Sequence, residues 1–333
     1  MFSKIGQPRM WTFIIRRLIQ SVIVIIGVTL ITFTALQMSG DPTYLYVSER
    51  ATEAEIQRTR EALGFDKPLP EQYLNFLGNL VQGDFGNSLS YKRPAIESVM
   101  EALPATLELT LFAMFLAIVV AIPLGVVASL NRGSAVDGSI MTMGMLGQSI
   151  PSFWLGIMMI MFFGLQLRIL PISGHVPFIM PLIQGDFLRA FTNLPQTLYY
   201  LIMPGFAVAF YSISRNARLV RSSMLEVLGQ DFVRTARSKG ISERAVVIRH
   251  ALRNAWLPVV TMIGLEFGFL IGGVVVVEMV FSWPGIGRLV FNAINQRDIP
   301  VVQAAVVTLA LVFIALNLIV DLVYAKIDPR VKL

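Results

Sequence analysis

The 333-residue chain has no cysteine and only two histidines, His175 and His250. Disulfides, iron–sulfur ligands and thiolate zinc sites are therefore excluded, and so is a histidine-rich metal centre. Charge is scarce too: 14% of residues are charged, against about 25% in ordinary soluble domains. No G-x-x-x-x-G-K-[ST] phosphate loop occurs, so the chain has no such means of hydrolysing ATP. H-E-x-x-H is also missing.

What is abundant is apolar. Hydrophobic residues make up 55% of the chain and the mean hydropathy is +0.68. A helix needs about 20 apolar residues to cross the hydrocarbon core of a bilayer. Six runs qualify: Leu18–Met38, Leu109–Asn131, Gly138–Leu167, Ala190–Ser214, Asn254–Gly287 and Ile299–Val320. A bilayer core leaves no water for open backbone groups, so each run must be helical. The expectation is an all-α polytopic membrane protein with six transmembrane helices. Pro151 predicts a kink in the third run, and Pro204 a bend in the fourth.

Lysine and arginine set the orientation. Seventeen fall on the side of the termini and ten on the other. Six of those ten lie in the long stretch 39–103, and long loops have little influence on topology. Residues 1–17 and 325–333 are thus expected in the cytoplasm, 39–103 outside, and 104–324 as the transmembrane core. The net charge of +6 then reflects basic inner loops and not nucleic-acid binding. Helix 18–38 is too long for the apolar region of a cleaved signal and no A-x-A site follows, so it is read as retained.

Segment 39–103 is acidic, with ten acids and six bases. Thr52 and Glu55 have the capping-box spacing, predicting a helix to Leu63 that Gly64 and Pro68 stop. Tyr73, Leu74, Leu77 and Leu80 predict a second, amphipathic helix, and Gly83-Asp84-Phe85-Gly86 a turn. Such a cap can pack on its own membrane domain, receive an external partner, or do both.

The loop 215–256 carries nine cations. Asp231 is expected to cap a helix of about eight residues ending at Lys239, with Gly240 as the left-handed terminator and Ser242 capping the next helix. Phe232, Val233 and Ala236 form a small apolar stripe rimmed by Arg and Lys. Two readings stand: a ligand for a groove on another protein, or a hairpin packed on its own bundle. Four acids lie in or near spans. Glu266 is the deepest, and either meets an ammonium group in a wet cavity or is paired or protonated. Glu278, beside Trp283, is expected near the outer surface as a gate or interface residue. Glu108 and Asp321 are expected to snorkel. The Met-rich third run, Met159 included, can line a pathway or simply pack. Gly264, Gly268, Gly272 and Gly273 permit close helix contact.

The loop resembles the coupling loop of bacterial ABC-importer permeases. Arg234, Thr235 and Ala236 occupy its Glu-Ala-Ala positions and Gly240 its glycine, while Leu257-Pro258 lies one helical turn later than the general pattern. Those departures match the dipeptide/oligopeptide (and nickel) subfamily, as do Arg249 to Val259, Arg221 to Leu228 and Phe281 to Gly287. Arg16-Arg17-Leu18, Gly40-Asp41-Pro42 and the Asp321 to Arg330 segment fit as well. The resemblance covers nearly the whole chain and is closest to the dipeptide-permease B-subunit type.

It implies a non-catalytic half of a translocation pathway. A homologous second permease would supply the other half, and two ATPase subunits would carry ATP and Mg²⁺. An external peptide-binding protein would deliver a dipeptide or short peptide, with nickel or glutathione as alternatives. Glu226, Asp231, Phe232, Arg234, Thr235, Ala236, Lys239 and Gly240 would meet the ATPases; Glu266, Glu278 and Met159 would face the pathway. The setting is a bacterial inner membrane with no nucleic-acid partner. A secondary transporter would show inverted repeats, and none is visible. An intramembrane hydrolase needs Ser and His inside the bundle, whereas both histidines lie in loops.

Overall fold

The computed structural model describes residues 7–38, 40–48 and 50–327. Lys4, Arg330 and Lys332 lie outside this set, and so do the Asp328–Arg330 motif and the side chains of Leu257, Pro258 and Asp321. Thirteen α-helices occur among the described residues, and the extended pairing is a single bridge between Asn87 and Pro94. The chain forms two compact units. One holds the residues up to Leu103 with Arg288–Leu318; the other holds Pro104–Gly287 and the end of the last helix.

The first unit begins with α1 (Gln7–Met38), followed by α2 (Glu53–Leu63) and α3 (Leu69–Val81). The capping box forms as expected: the Thr52 side chain accepts from the Glu55 N–H, and the Glu55 carboxylate accepts from the Thr52 N–H. Gly64 ends α2 at φ 72, where a Cβ would be strained. α3 grips α1 through Phe33, whose ring lies 5.4 Å from Tyr73 and 6.3 Å from Phe76; Thr29 and the Tyr73 hydroxyl bond at 2.9 Å. Beyond Gly83 and Gly86, both at positive φ, the chain is tied to the segment between α12 (Ile286–Asn295) and α13 (Ile299–Ile327). There the buried Asp298 accepts from the Ser88 hydroxyl (2.5 Å) and the Ser90 N–H (3.0 Å).

The second unit contains most of α4 (Ala95–Leu130), α5 (Ala135–Ser149), α6 (Ser152–Met159), the short α7 (Ile179–Ile183), and α8 (Phe187–Leu228). α9 (Asp231–Ser238), α10 (Glu243–Ala245) and α11 (Arg253–Val280) complete it. Leu109, Met203, Leu270, Phe281 and Trp283 centre its core. Glycine lets α5 and α8 touch: a Cβ on Gly147 would fall 2.8 Å from that of Ser214.

Four helices among the described residues are long and apolar enough to cross a membrane, and a bent pair makes a fifth. α11 covers the fifth apolar run only as far as Val280, over 28 residues, and several of its side chains lie outside the described set. The third run departs from expectation. It is not one kinked helix but two, α5 and α6, meeting at 104°. Pro151 is the last residue before α6; it lacks the N–H that would bond back into α5. The fourth run also differs, because α8 continues through Pro195 and Pro204 for 42 residues, roughly 63 Å. It absorbs the first fourteen residues of the expected loop, which therefore starts at Gly229.

Candidate functional site

The basic hairpin is built from α9, the Gly240 turn, and a helix that runs on from Glu243. Asp231 is the first helical residue and not the cap; extended Gln230 takes that place, with no side-chain cap bond. A carboxylate at the first turn still suits the positive end of the helix. Lys239 caps the C-terminus and Gly240 adopts φ 75, as the sequence predicts. Ser242 sits at the next N-cap without a side-chain bond. Arg237 straps the turn by donating to both Glu243 oxygens (2.6 and 3.0 Å). That hydrogen-bonded guanidinium holds the Glu243 carboxyl below its usual range.

The two faces of α9 do different jobs. Val233 (0% exposed) and Ala236 (6%) sink into a cluster with Val220 and Met224 of α8 and with Val246, Val247 and Ala251. Ala236 is thus a seat on the chain's own bundle, which corrects its expected role as a partner contact. Asp231, Phe232, Arg234, Thr235 and Lys239 face outward, as do Gly240 and Glu226. The Asp231 and Arg234 side chains are 96% and 77% exposed and only loosely paired at 3.6 Å. Such a face offers both signs of charge and one aromatic edge to a groove. Behind the turn the chain stays helical from Glu243 to Val280, with wider i→i+5 turns over Val246–Leu252. A displacement of α9 therefore has a continuous helix to travel along.

The intramembrane acids are tied down more firmly than the sequence suggests. Glu108 does not snorkel. It is buried, with Oε2 2.7 Å from His175 Nε2, and Oε1 accepts from the backbone N–H groups of Phe178 (2.8 Å) and Ile179 (2.7 Å). The His175 ring meets Trp283 edge-on at 4.6 Å, and Trp283 Nε1 donates to the Ala105 carbonyl. Replacing Glu108 with alanine should leave those two N–H groups unmatched, at about 1–3 kcal/mol each. Thermal unfolding of the purified variant should show a lower midpoint; an unchanged midpoint would refute this anchoring role.

Glu278 is fully buried; Thr106 donates to its Oε1 at 2.7 Å. Thr106 Oγ1 in turn accepts from the Ile286 N–H (2.8 Å). Met159 is buried in the second unit's core, so its expected place along a pathway is corrected to packing. By contrast, Met143 and Met145 are exposed. Gly272 and Gly273 have open space where a Cβ would stand. Glu266 is 2% exposed: Ser212 donates to Oε1, while Arg215 Nη1 stands 3.9 Å from Oε2.

Three pairings escaped the sequence. Arg221 donates to both oxygens of Asp137 (2.5 and 2.7 Å), Arg218 donates to Gln148 (3.1 Å), and Arg215 approaches Glu266. The signal was present as cations at 215, 218 and 221, one per turn of one helix face.

Residues 121–333 match the family described as "binding-protein-dependent transport system inner membrane component", and residues 10–110 match its N-terminal companion. The dipeptide transport system permease protein DppB of Escherichia coli is 40% identical, covering 97% of this chain and 99% of its own length. The di/tripeptide transport system permease protein DppB of Pseudomonas aeruginosa is 39% identical with the same coverage. The fold is that of a subunit in inward-facing structures of the MetNI methionine ABC transporter. The TM-score is 0.51 at 16% identity, covering 69% of this chain and 96% of that one.

Proposed function

Because this chain belongs to the family of inner-membrane components of binding-protein-dependent transport systems, we propose that it forms one half of a pathway importing dipeptides and short peptides. It is a multi-pass inner-membrane permease subunit of an ABC importer. A homologous permease supplies the other half. Two ATPase subunits carry ATP and Mg²⁺ and grip the outer face of α9, and an external peptide-binding protein delivers the cargo. Both termini lie in the cytoplasm, in keeping with the distribution of lysine and arginine.

The observation that carries this reading is the division of labour within α9. Val233 and Ala236 seat it, leaving Asp231, Phe232, Arg234 and Lys239 free for another polypeptide at the head of a continuous helix. The peptide cargo is supported by relatives named for dipeptide and di/tripeptide transport. ATPase closure displaces α9, and the push passes through Glu243–Val280 to the Trp283 turn. Such coupling needs two states that the nucleotide and the cargo bias differently.

The complex should co-purify with two ATPases and a paralogous permease, and should take up labelled dipeptide in proteoliposomes only with ATP. Arg234→Glu, on an exposed side chain, should cut that uptake at least tenfold at an unchanged membrane level. Uptake by the chain alone, without any ATPase, would overturn the assignment.

A further inference from the structure

Where α5 breaks from α6, non-helical backbone lies within the apolar part of the second unit. Such backbone is tolerated at membrane depth where it is buried in protein or lines a wet cavity. Here a cavity of ≈ 290 Å³ adjoins it, walled by Gln148, Ser149, Pro151, Tyr211, Phe269 and Gly273. The Tyr211 and Phe269 rings stack at 4.7 Å.

The helix faces lining this cavity run on into an ion pair. On α11, Glu266 shares a face with the lining residues Leu270 and Gly273, at i, i+4 and i+7. On α8, Arg215 follows Tyr211 by one turn, and Ser212 lies between them. The pair is incomplete. Ser212 commits Glu266 Oε1, yet Oε2 has no hydrogen-bond partner among the described residues although the side chain is 2% exposed. Arg215 stands 3.9 Å away, beyond hydrogen-bond reach, with its side chain 36% exposed. A buried carboxylate oxygen without a donor is costly, and an ionisable residue at this depth points to a functional site.

We propose that the cavity and this pair form a subsite for a zwitterion, with Glu266 Oε2 taking the cargo's α-ammonium and Arg215 its α-carboxylate. The inference rests on the peptide-import reading above. An ammonium supplies the charge-assisted donor that Oε2 lacks. The guanidinium has five N–H donors and a long stem. The termini of a dipeptide stand roughly 7 Å apart. Arg215 can swing outward to that span while Ser212 holds Glu266 still. Arg218, on the same face of α8 and donating to Gln148 on the cavity wall, is a second cation for the carboxylate. The aromatic pair and the serines suit side chains of varied chemistry, so the charges recognise what all peptides with free termini share.

The test uses the assembled importer in proteoliposomes, with a labelled dipeptide carrying a diazirine side chain. Wild type should take the peptide up and, on illumination, attach it within residues 148–152, 208–215 or 266–273. Glu266→Gln should lower both uptake and labelling at least tenfold in complexes assembled to the wild-type level, and Glu266→Asp should restore most of both. Arg215→Gln, on a partly exposed side chain, should give the same loss and decides the matter if Glu266→Gln fails to assemble. Labelling confined to other segments, or wild-type uptake in Arg215→Gln, would overturn the subsite. Failure of the wild-type complex to transport any dipeptide would instead overturn the peptide reading itself.

Discussion

Val233→Asp should reduce ATP-driven uptake to background while leaving the chain in the membrane. Val233 is wholly buried among Val220, Met224, Val246 and Val247. Losing its burial costs about 1.5–3 kcal/mol, and placing an unpaired carboxylate there costs several kcal/mol more. An eight-residue helix has no stability of its own in water, so α9 should leave its seat and cease to transmit force. α8 and α11 keep their own packing, and insertion should survive. Uptake measured beside limited proteolysis of residues 229–242 checks the chain of cause: uptake should vanish and cleavage should accelerate. Normal uptake with rapid cleavage would show that a seated α9 is not needed. Arg234→Glu separates the two faces, since it should impair uptake without exposing the hairpin to protease.

Gly285→Ala should be among the most damaging single methyl additions in the second unit. The added Cβ would stand 2.0 Å from Glu278 Oε1 and 2.3 Å from its carboxyl carbon. The carboxylate is fully buried and hydrogen-bonded to Thr106, which also receives the Ile286 N–H. A Cβ at Gly287 would likewise stand 2.9 Å from Glu278 Oε2. Either the buried carboxylate must leave Thr106 or the turn carrying Trp283 must shift. The cost should reach or exceed the upper end of the about 1–3 kcal/mol typical of overpacking. A lower unfolding midpoint and reduced uptake are expected; an alanine variant as stable as wild type would mean that Glu278 has room to move. The Phe281-Ser282-Trp283-Pro284-Gly285-Ile286-Gly287 stretch, read in the sequence as part of a family pattern, thus has a steric basis: its glycines make space for a buried acid.

Local signals were legible where a few neighbouring residues decide the outcome. Thr52 with Glu55, Gly64 and Gly240 set helix ends through bonds and φ values within a turn or two. The apolar runs mark spans because hydrocarbon admits little else. The inner limit of α8 was not legible because the cations at 215, 218 and 221 end the apolar run, whereas the helix continues to Leu228 with Arg221 paired to Asp137. That helix runs through Pro195 and Pro204, whereas Pro151, with the same chemistry, does separate two helices, and nothing in the local sequence distinguishes the cases.

By itself, the sequence determined the membrane class, the cationic hairpin with its turn, and the family, since composition, periodicity and short motifs are properties of contiguous residues. Tertiary structure alone decided which side of α9 is free and what each buried acid holds. Ser212 and Glu266 are 54 residues apart, His175 and Glu108 are 67, and Thr106 and Glu278 are 172. A carboxylate's partner is chosen by which helices pack together, and that choice is made by the whole core at once.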